Sequence, residues 1–252
     1  MLDALNVVKN FGGLRALDNC SISIKQGEIC GLIGPNGSGK STLFNVITGY
    51  YSSDSGEIRF KELRIDKMTP YDIVDMGISR TFQLPSLFKK MTVMENMLIA
   101  PKSQKGENIW RAWFGTGISQ QEHDNYKKAM ELLEFLDIVQ LRNEYADNIS
   151  FGQQKLLELA RALMTDPEIM LLDEPTGGIN PVLVNKIITS LKEMREKGVT
   201  LLIVEHNMSV VSSLCDRVYV LDHGKNIASG TPDEVINNEE VIEAYLGAQY
   251  AA

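Results

Sequence analysis

The chain is predicted to be an α/β protein: a buried parallel sheet, an antiparallel β element near the N-terminus, and a helical segment inserted between them. Three observations predict this. The runs "IMLLD" (169–173) and "GVTLLIVE" (198–205) are almost wholly apolar, as strands covered on both faces must be. Near the N-terminus "CSISIK" (20–25) alternates apolar with polar residues instead, the pattern of a half-exposed strand. Between these regions, residues 91 to about 165 carry helical periodicity. At 252 residues, 44% of them hydrophobic and 23% charged, the chain suits one large α/β domain.

Taken in order, "EICGLI" (28–33) reads as a buried strand, Thr42 to Thr48 as a short amphipathic helix, and "GEIRF" (56–60) as another strand. Thr92 and Glu95 have capping-box spacing, which predicts a helix from there through Ala100. A second helix is predicted from Gln121 to Leu136, with Tyr126, Met130, Leu133 and Leu136 on its apolar side. A third lies in "NISFGQQKLLELARAL" (148–163), where Leu156, Leu159, Ala160 and Leu163 recur at core spacing. From Glu168 onward strands and helices alternate. "VYVLD" (218–222) is followed by a predicted hairpin at His223–Gly224.

Charge and composition narrow the partners. The net charge is −8 and no block of lysines and arginines stands out, which speaks against a nucleic-acid partner. The three cysteines, Cys20, Cys30 and Cys215, are odd in number and lack metal-type spacing, so they read as buried, reduced thiols of a cytosolic protein. No apolar run reaches the length of a membrane span, and "MLDALNVVKNFGG" carries charges where a signal peptide would be apolar. A role at a membrane therefore has to come through a partner.

The chemistry starts at "GPNGSGKST" (34–42), which fits G-x-x-x-x-G-K-[ST] at Gly34, Gly39, Lys40 and Ser41. The pattern sits between a predicted strand and a predicted helix, the context that makes it a phosphate loop. Gly34, Pro35, Asn36, Gly37, Ser38 and Gly39 wrap the phosphates, with Thr42 closing the segment. Lys40 adds a point charge and Ser41 a hydroxyl for Mg2+. Asp173, ending "IMLLD", is placed to hold that metal through water. Glu174 is one residue further and points differently, which suits it to take a proton from an attacking water. His206 ends another apolar strand, at the sheet edge where ligands bind, and suits a hydrogen bond to the γ-phosphate. Gln83 in "RTFQ" is a polar residue with a weaker signal of its own. Phe11 reads equally as an adenine platform or a core aromatic. A second anion-friendly helix start occurs at Ser150, Gly152 and Gln153, with bulky Phe151 inside it.

These elements have the order and spacing of ABC-type ATPase subunits, and the resemblance covers essentially the whole chain. It implies a P-loop NTPase (RecA-like) core with an N-terminal antiparallel β subdomain and an inserted α-helical subdomain. The implied division of a single domain over 1–252 is a core of 1–83 and 166–252 and a helical part of 84–165. In that family the aromatic before the loop stacks on adenine, matching Phe11. A glutamine joining the two parts senses Mg2+ and water, matching Gln83. A strand-end glutamate and histidine complete hydrolysis, matching Glu174 and His206. Ile149-Ser150-Phe151-Gly152-Gln153 resembles the signature Leu-Ser-Gly-Gly-Gln, departing from it at Ile149 and Phe151. The signature of one subunit binds the γ-phosphate held by the loop of another, so a dimer around two ATP is implied.

Finer features resemble the branched-chain amino-acid importers within the family. They are the aromatic signature followed by Gly-Gln-Gln, "GGINP" (177–181) with Asn180 where many relatives carry aspartate, "FGGLRALDN" (11–19), "LFKKMTVMENMLIA" (87–100) and "GTPDEV" (230–235). That resemblance implies an ATP-hydrolysing subunit lying peripherally on the cytoplasmic face of the membrane. Its partners would be a second ATPase subunit, transmembrane permease subunits and, indirectly, an extracellular solute-binding protein. Alternatives are a lipid or lipopolysaccharide exporter ATPase, a non-transport ABC switch, and a kinase or GTPase on the same loop. Trp110, Trp113 and Phe114 in "NIWRAWFG" (108–115) read either as subdomain core or as docking surface.

Overall fold

The computed structural model describes residues 1–102 and 118–250, and Trp110, Trp113 and Phe114 lie outside them. Two sheets organise the fold. The first is antiparallel and comes from the N-terminal part: β1 (Leu2–Phe11), β2 (Leu14–Ile24), β4 (Ser55–Phe60) and β5 (Leu63–Arg64), in the order β2-β1-β4-β5. The second contains β3 (Ile29–Ile33), β6 (Ile78–Arg80), β7 (Ile169–Asp173), β8 (Thr200–Val204), β9 (Arg217–Asp222) and β10 (Lys225–Gly230), in the order β10-β9-β3-β8-β7-β6. All its neighbours pair in parallel except β9 with β10, which form the hairpin predicted at His223–Gly224. Both turn residues have positive φ, 44° and 79°, as a two-residue turn matched to strand twist requires.

Every residue of β3, β7 and β8 is buried, and their side chains alternate between two cores. Cys30, Leu32, Leu171, Leu202 and Val204 face a cluster with Phe44 and Ile47 of α1 (Lys40–Ile47) and with Leu2, Ile22 and Ile58 of the antiparallel sheet. Ile29, Met170, Leu172, Leu201 and Ile203 face the opposite cluster, shared with Met97, Leu133, Leu157 and Leu191 of the helices. The phosphate-loop helix is thus clamped between the two sheets. The helical layer covers the other face.

The remaining helices are α2 (Pro70–Asp75), α3 (Val93–Leu98), α4 (Ile118–Phe135), α5 (Phe151–Leu163), α6 (Pro181–Glu196), α7 (Met208–Leu214), α8 (Pro232–Ile236) and α9 (Glu239–Tyr250). The Thr92–Glu95 capping box is formed on both sides, at 3.1 and 2.7 Å, though its helix ends short of Ala100. The buried stripe of α4 runs through Ala129 and Leu133 and on to Leu136 just past its end, whereas Tyr126 is 45% exposed. The apolar side expected to include Tyr126 therefore begins one turn later, where the helix meets the cluster. Cys20 and Cys30 are buried, Cys215 is half-buried, and all three are free thiols. Burial pushes the Cys20 and Cys215 thiols up to about 12. Among the described residues no helix is long and apolar enough to cross a membrane.

The phosphate loop and the strand-end site

The loop leaves β3 at Gly34 and enters α1 at Lys40. Gly34 has φ 146°, and a Cβ there would lie 2.0 Å from the Leu221 carbonyl oxygen. Gly39 has φ 106° and would meet the Ala16 carbonyl at 2.7 Å. Only glycine fits at either point, so the sheet's own backbone sets the loop's shape. Gly39 caps α1 without a side-chain bond, and no acidic residue occupies the first turn. The positive end of this helix is therefore left for an anion. Lys40 Nζ donates to the Gly34 and Pro35 carbonyls at 2.8 and 2.9 Å. Burial pushes the Lys40 ammonium down from its ordinary range, while Glu174 and Asp173 pull it back up. The Gly34 amide donates to the Tyr245 hydroxyl of α9 at 2.9 Å, which ties the C-terminal helix to the start of the loop.

Asn36, Gly37, Gly39, Lys40, Ser41 and Thr42 line a cleft of about 450 Å³. Phe11, Gln83, Glu174 and His206 line the same cleft. The alternative of Phe11 as a core aromatic is excluded, because its ring is 41% exposed. Tyr51 meets that ring edge-on at 5.2 Å between centroids, leaving it at the cleft mouth. Pro35 and Ser38 stay inside the loop, both buried.

Asp173 ends β7 and is 7% exposed. Burial raises its carboxyl, and the Arg80 guanidinium, 3.5 Å away, opposes that shift. Glu174 leaves the strand in the left-handed region, at φ 48°, a strained conformation of the kind found at functional positions. Its N–H donates to Val204 at 2.9 Å. This turn separates the two carboxylates: Asp173 stays at the strand end, and Glu174 enters the cleft. Gln83 Nε2 donates to Glu174 Oε2 at 3.1 Å, and His206 Nε2 lies 2.8 Å from Oε1. One carboxylate thus gathers side chains from two other loops.

Ser150, Gly152 and Gln153 do not line this cleft. Ser150 N–H donates to Gln153 Oε1 at 2.9 Å, and Gln153 N–H donates to Ser150 Oγ at 3.4 Å, a closed capping box. Gly152 is packed so tightly that a Cβ would fall 2.1 Å from Leu183 Cδ2. The Phe151 ring is partly exposed and lies against Gly178, where an added Cβ would be 3.3 Å from Phe Cε1. Asn180 Oδ1 accepts from Leu183 N–H at 3.0 Å and caps α6.

Four further residues shape the site without having been singled out in the sequence. Arg80 pairs with Asp173, and Lys155 Nζ donates to the Glu174 carbonyl. Buried Glu205 accepts from Thr176 N–H and Oγ at 2.9 and 2.6 Å and from His206 N–H at 3.3 Å. Tyr245 is the fourth. Lys155 alone had a visible signal: it is a charged residue on the apolar side of α5, one turn before Leu159.

A glycine-fixed phosphate loop, a buried strand-end aspartate and a turned-out glutamate define a P-loop nucleoside-triphosphatase. Within that class the chain belongs to the ABC transporter ATP-binding family. The family model described as ABC transporter matches residues 17–177. Another, described as branched-chain amino acid ATP-binding cassette transporter, matches residues 225–251. The chain is 43% identical over 249 residues to the probable branched-chain amino acid transport ATP-binding protein LivG of Archaeoglobus fulgidus, covering 99% of this chain and 96% of that one. An ABC transporter cassette solved in its ADP conformation is 39% identical, with TM-score 0.85 and 98% of each chain covered. A dimeric cassette in a post-hydrolysis state with ADP and phosphate is 26% identical, with TM-score 0.78, 92% of this chain and 99% of that one covered. As a member of this family the chain is an ATPase that works as part of a transporter.

Proposed function

We propose that the chain powers an importer of branched-chain amino acids, closing as a dimer around two ATP and reopening after hydrolysis. The single observation that carries the hydrolytic part is the Glu174 carboxylate, held between Gln83 and His206 at the edge of the phosphate-loop cleft. Support for the cargo comes from the A. fulgidus relative, a probable branched-chain amino acid transport ATP-binding protein, and from the C-terminal family match.

In this reading Phe11 stacks on adenine at the cleft mouth. The loop from Gly34 to Thr42 and Lys40 hold the phosphates. Lys40 then exchanges its bonds to the Gly34 and Pro35 carbonyls for bonds to phosphate oxygens. Glu174 accepts the proton of the attacking water, Gln83 orients that water, and His206 supports the γ-phosphate. Ser41 and Gln83 line the cleft and Asp173 ends the neighbouring strand, an oxygen donor set suited to Mg2+. When bound, Mg2+ neutralises phosphate charge.

The signature residues Ser150, Gly152 and Gln153 serve the nucleotide of a second ATPase subunit. That contact exists only while a γ-phosphate is present, so binding and release drive a two-state change. The helical part, 84–165, carries the movement from the core of 1–83 and 166–252 to permease subunits at the cytoplasmic face of the membrane, supplied by an extracellular solute-binding protein. A Glu174→Gln variant tests the reading. It should bind ATP, accumulate as a dimer in size-exclusion runs with Mg-ATP, and turn over about 10²–10⁴-fold more slowly. Hydrolysis at the wild-type rate removes Glu174 as the base.

A further inference from the structure

Lys155 lies on α5, five residues after the signature serine, and is 7% exposed. Burying an ammonium is costly unless its charge and its hydrogens are used. Here its Nζ donates to the main-chain carbonyl of Glu174. The same carbonyl accepts from Gly177 N–H at 3.1 Å, and the Glu174 N–H is held by Val204 at 2.9 Å. The left-handed turn at Glu174, φ 48°, is therefore pinned from three sides, one of them a charged group on the signature helix. The start of that helix is also packed on the segment following Glu174 within the same chain: Gly152 abuts Leu183, and the Phe151 ring abuts Gly178. Phe151 lies beneath the Lys155 ammonium, 5.5 Å from ring centroid to Nζ.

We propose that Lys155 is a positioning residue for hydrolysis: from the signature helix it holds the Glu174 backbone in the turn that presents the carboxylate to Gln83 and His206. This rests on the reading of Glu174 as the base. The signature helix and the Glu174 turn of one chain are thereby bonded directly to each other.

The test compares Lys155→Met, which keeps the apolar stem and loses the charge, with Lys155→Arg, in the full-length chain. Steady-state ATPase, fluorescent-ATP binding and thermal melting are measured for each, with Glu174→Gln alongside. Lys155→Met should lose about tenfold or more in kcat with KM for ATP within about twofold, and Lys155→Arg should regain most of the rate. Lys155→Gln replaces the methionine variant should that one not fold. Wild-type kcat in the neutral variants, with Glu174→Gln inactive, overturns the Lys155 proposal alone. Wild-type kcat in Glu174→Gln overturns the reading beneath it. Parallel loss of ATP binding and rate in both neutral variants, or no recovery with arginine, reduces Lys155 to a structural residue and overturns its positioning role.

Discussion

The chain has two helix starts suited to phosphate, and they are built in opposite ways. The α1 start is capped by Gly39, with no side-chain bond and no acidic residue in its first turn. The α5 start is closed by the reciprocal Ser150–Gln153 box. An anion at α1 meets backbone groups whose helical partners are missing. An anion at α5 must compete with a cap worth about 1 kcal/mol. The glycines differ as well: Gly34 and Gly39 are dictated by nearby backbone, and Gly152 by the Leu183 side chain. The first site is therefore ready within a single chain. The second is self-satisfied by its own cap, as the proposal that it serves the nucleotide of another subunit requires of a site left idle in the single chain.

Substitutions at four positions would break or sharpen this contrast. Lys40→Ala should have the largest effect, because it removes a charged partner of the phosphates. ATP affinity should fall about tenfold to a hundredfold in a fluorescent-nucleotide titration. Unchanged affinity would leave α1 as an ordinary helix start. Ser150→Ala should lower stability by about 1 kcal/mol and weaken ATP-driven dimerisation, with nucleotide binding to the single chain preserved. If single-chain binding is lost instead, the signature serves its own nucleotide and the contrast collapses. Asn180→Ala should cost about 0.5–2 kcal/mol in urea unfolding, and Asn180→Asp should keep the cap. Equal loss in both would show that Asn180 contributes something other than capping. Phe151→Gly should be the mildest, changing the ATPase rate by about twofold or less, as suits a partly exposed ring. A collapse of activity would place the ring inside the Lys155–Glu174 link.

Legibility varied with how local each cause was. The run 169–173 became β7 without a residue's difference, because burial on both faces leaves an apolar run few alternatives. The run 198–205 shortened to Thr200–Val204. Gly198 turns at φ 94°, and Glu205 leaves the ladder to bind Thr176. The Thr92–Glu95 box was legible because it closes over three residues. Tyr126 misled because periodicity marks a helix face, and only its neighbours decide how far along the helix that face is covered. The phosphate loop, Asp173, Glu174 and His206 were legible as motifs at strand ends. Arg80, Glu205 and Tyr245 were not, since each acts through partners distant in the sequence and no local pattern encodes such contacts.

The sequence by itself determined the α/β class, the glycine-rich phosphate loop, the family, and the candidates for proton acceptor and γ-phosphate contact, because these depend on residue type at short spacing. It also marked the anomaly at Phe151. Only the tertiary structure decided that Glu174 turns left-handed between Gln83 and His206, and that Phe151 rests on Gly178. It alone showed that Asn180 caps α6, and that the signature helix is bonded to the Glu174 backbone. Those are contacts between elements brought together by packing on two faces of one sheet, and a backbone reversal of a single residue sets where each carboxylate points.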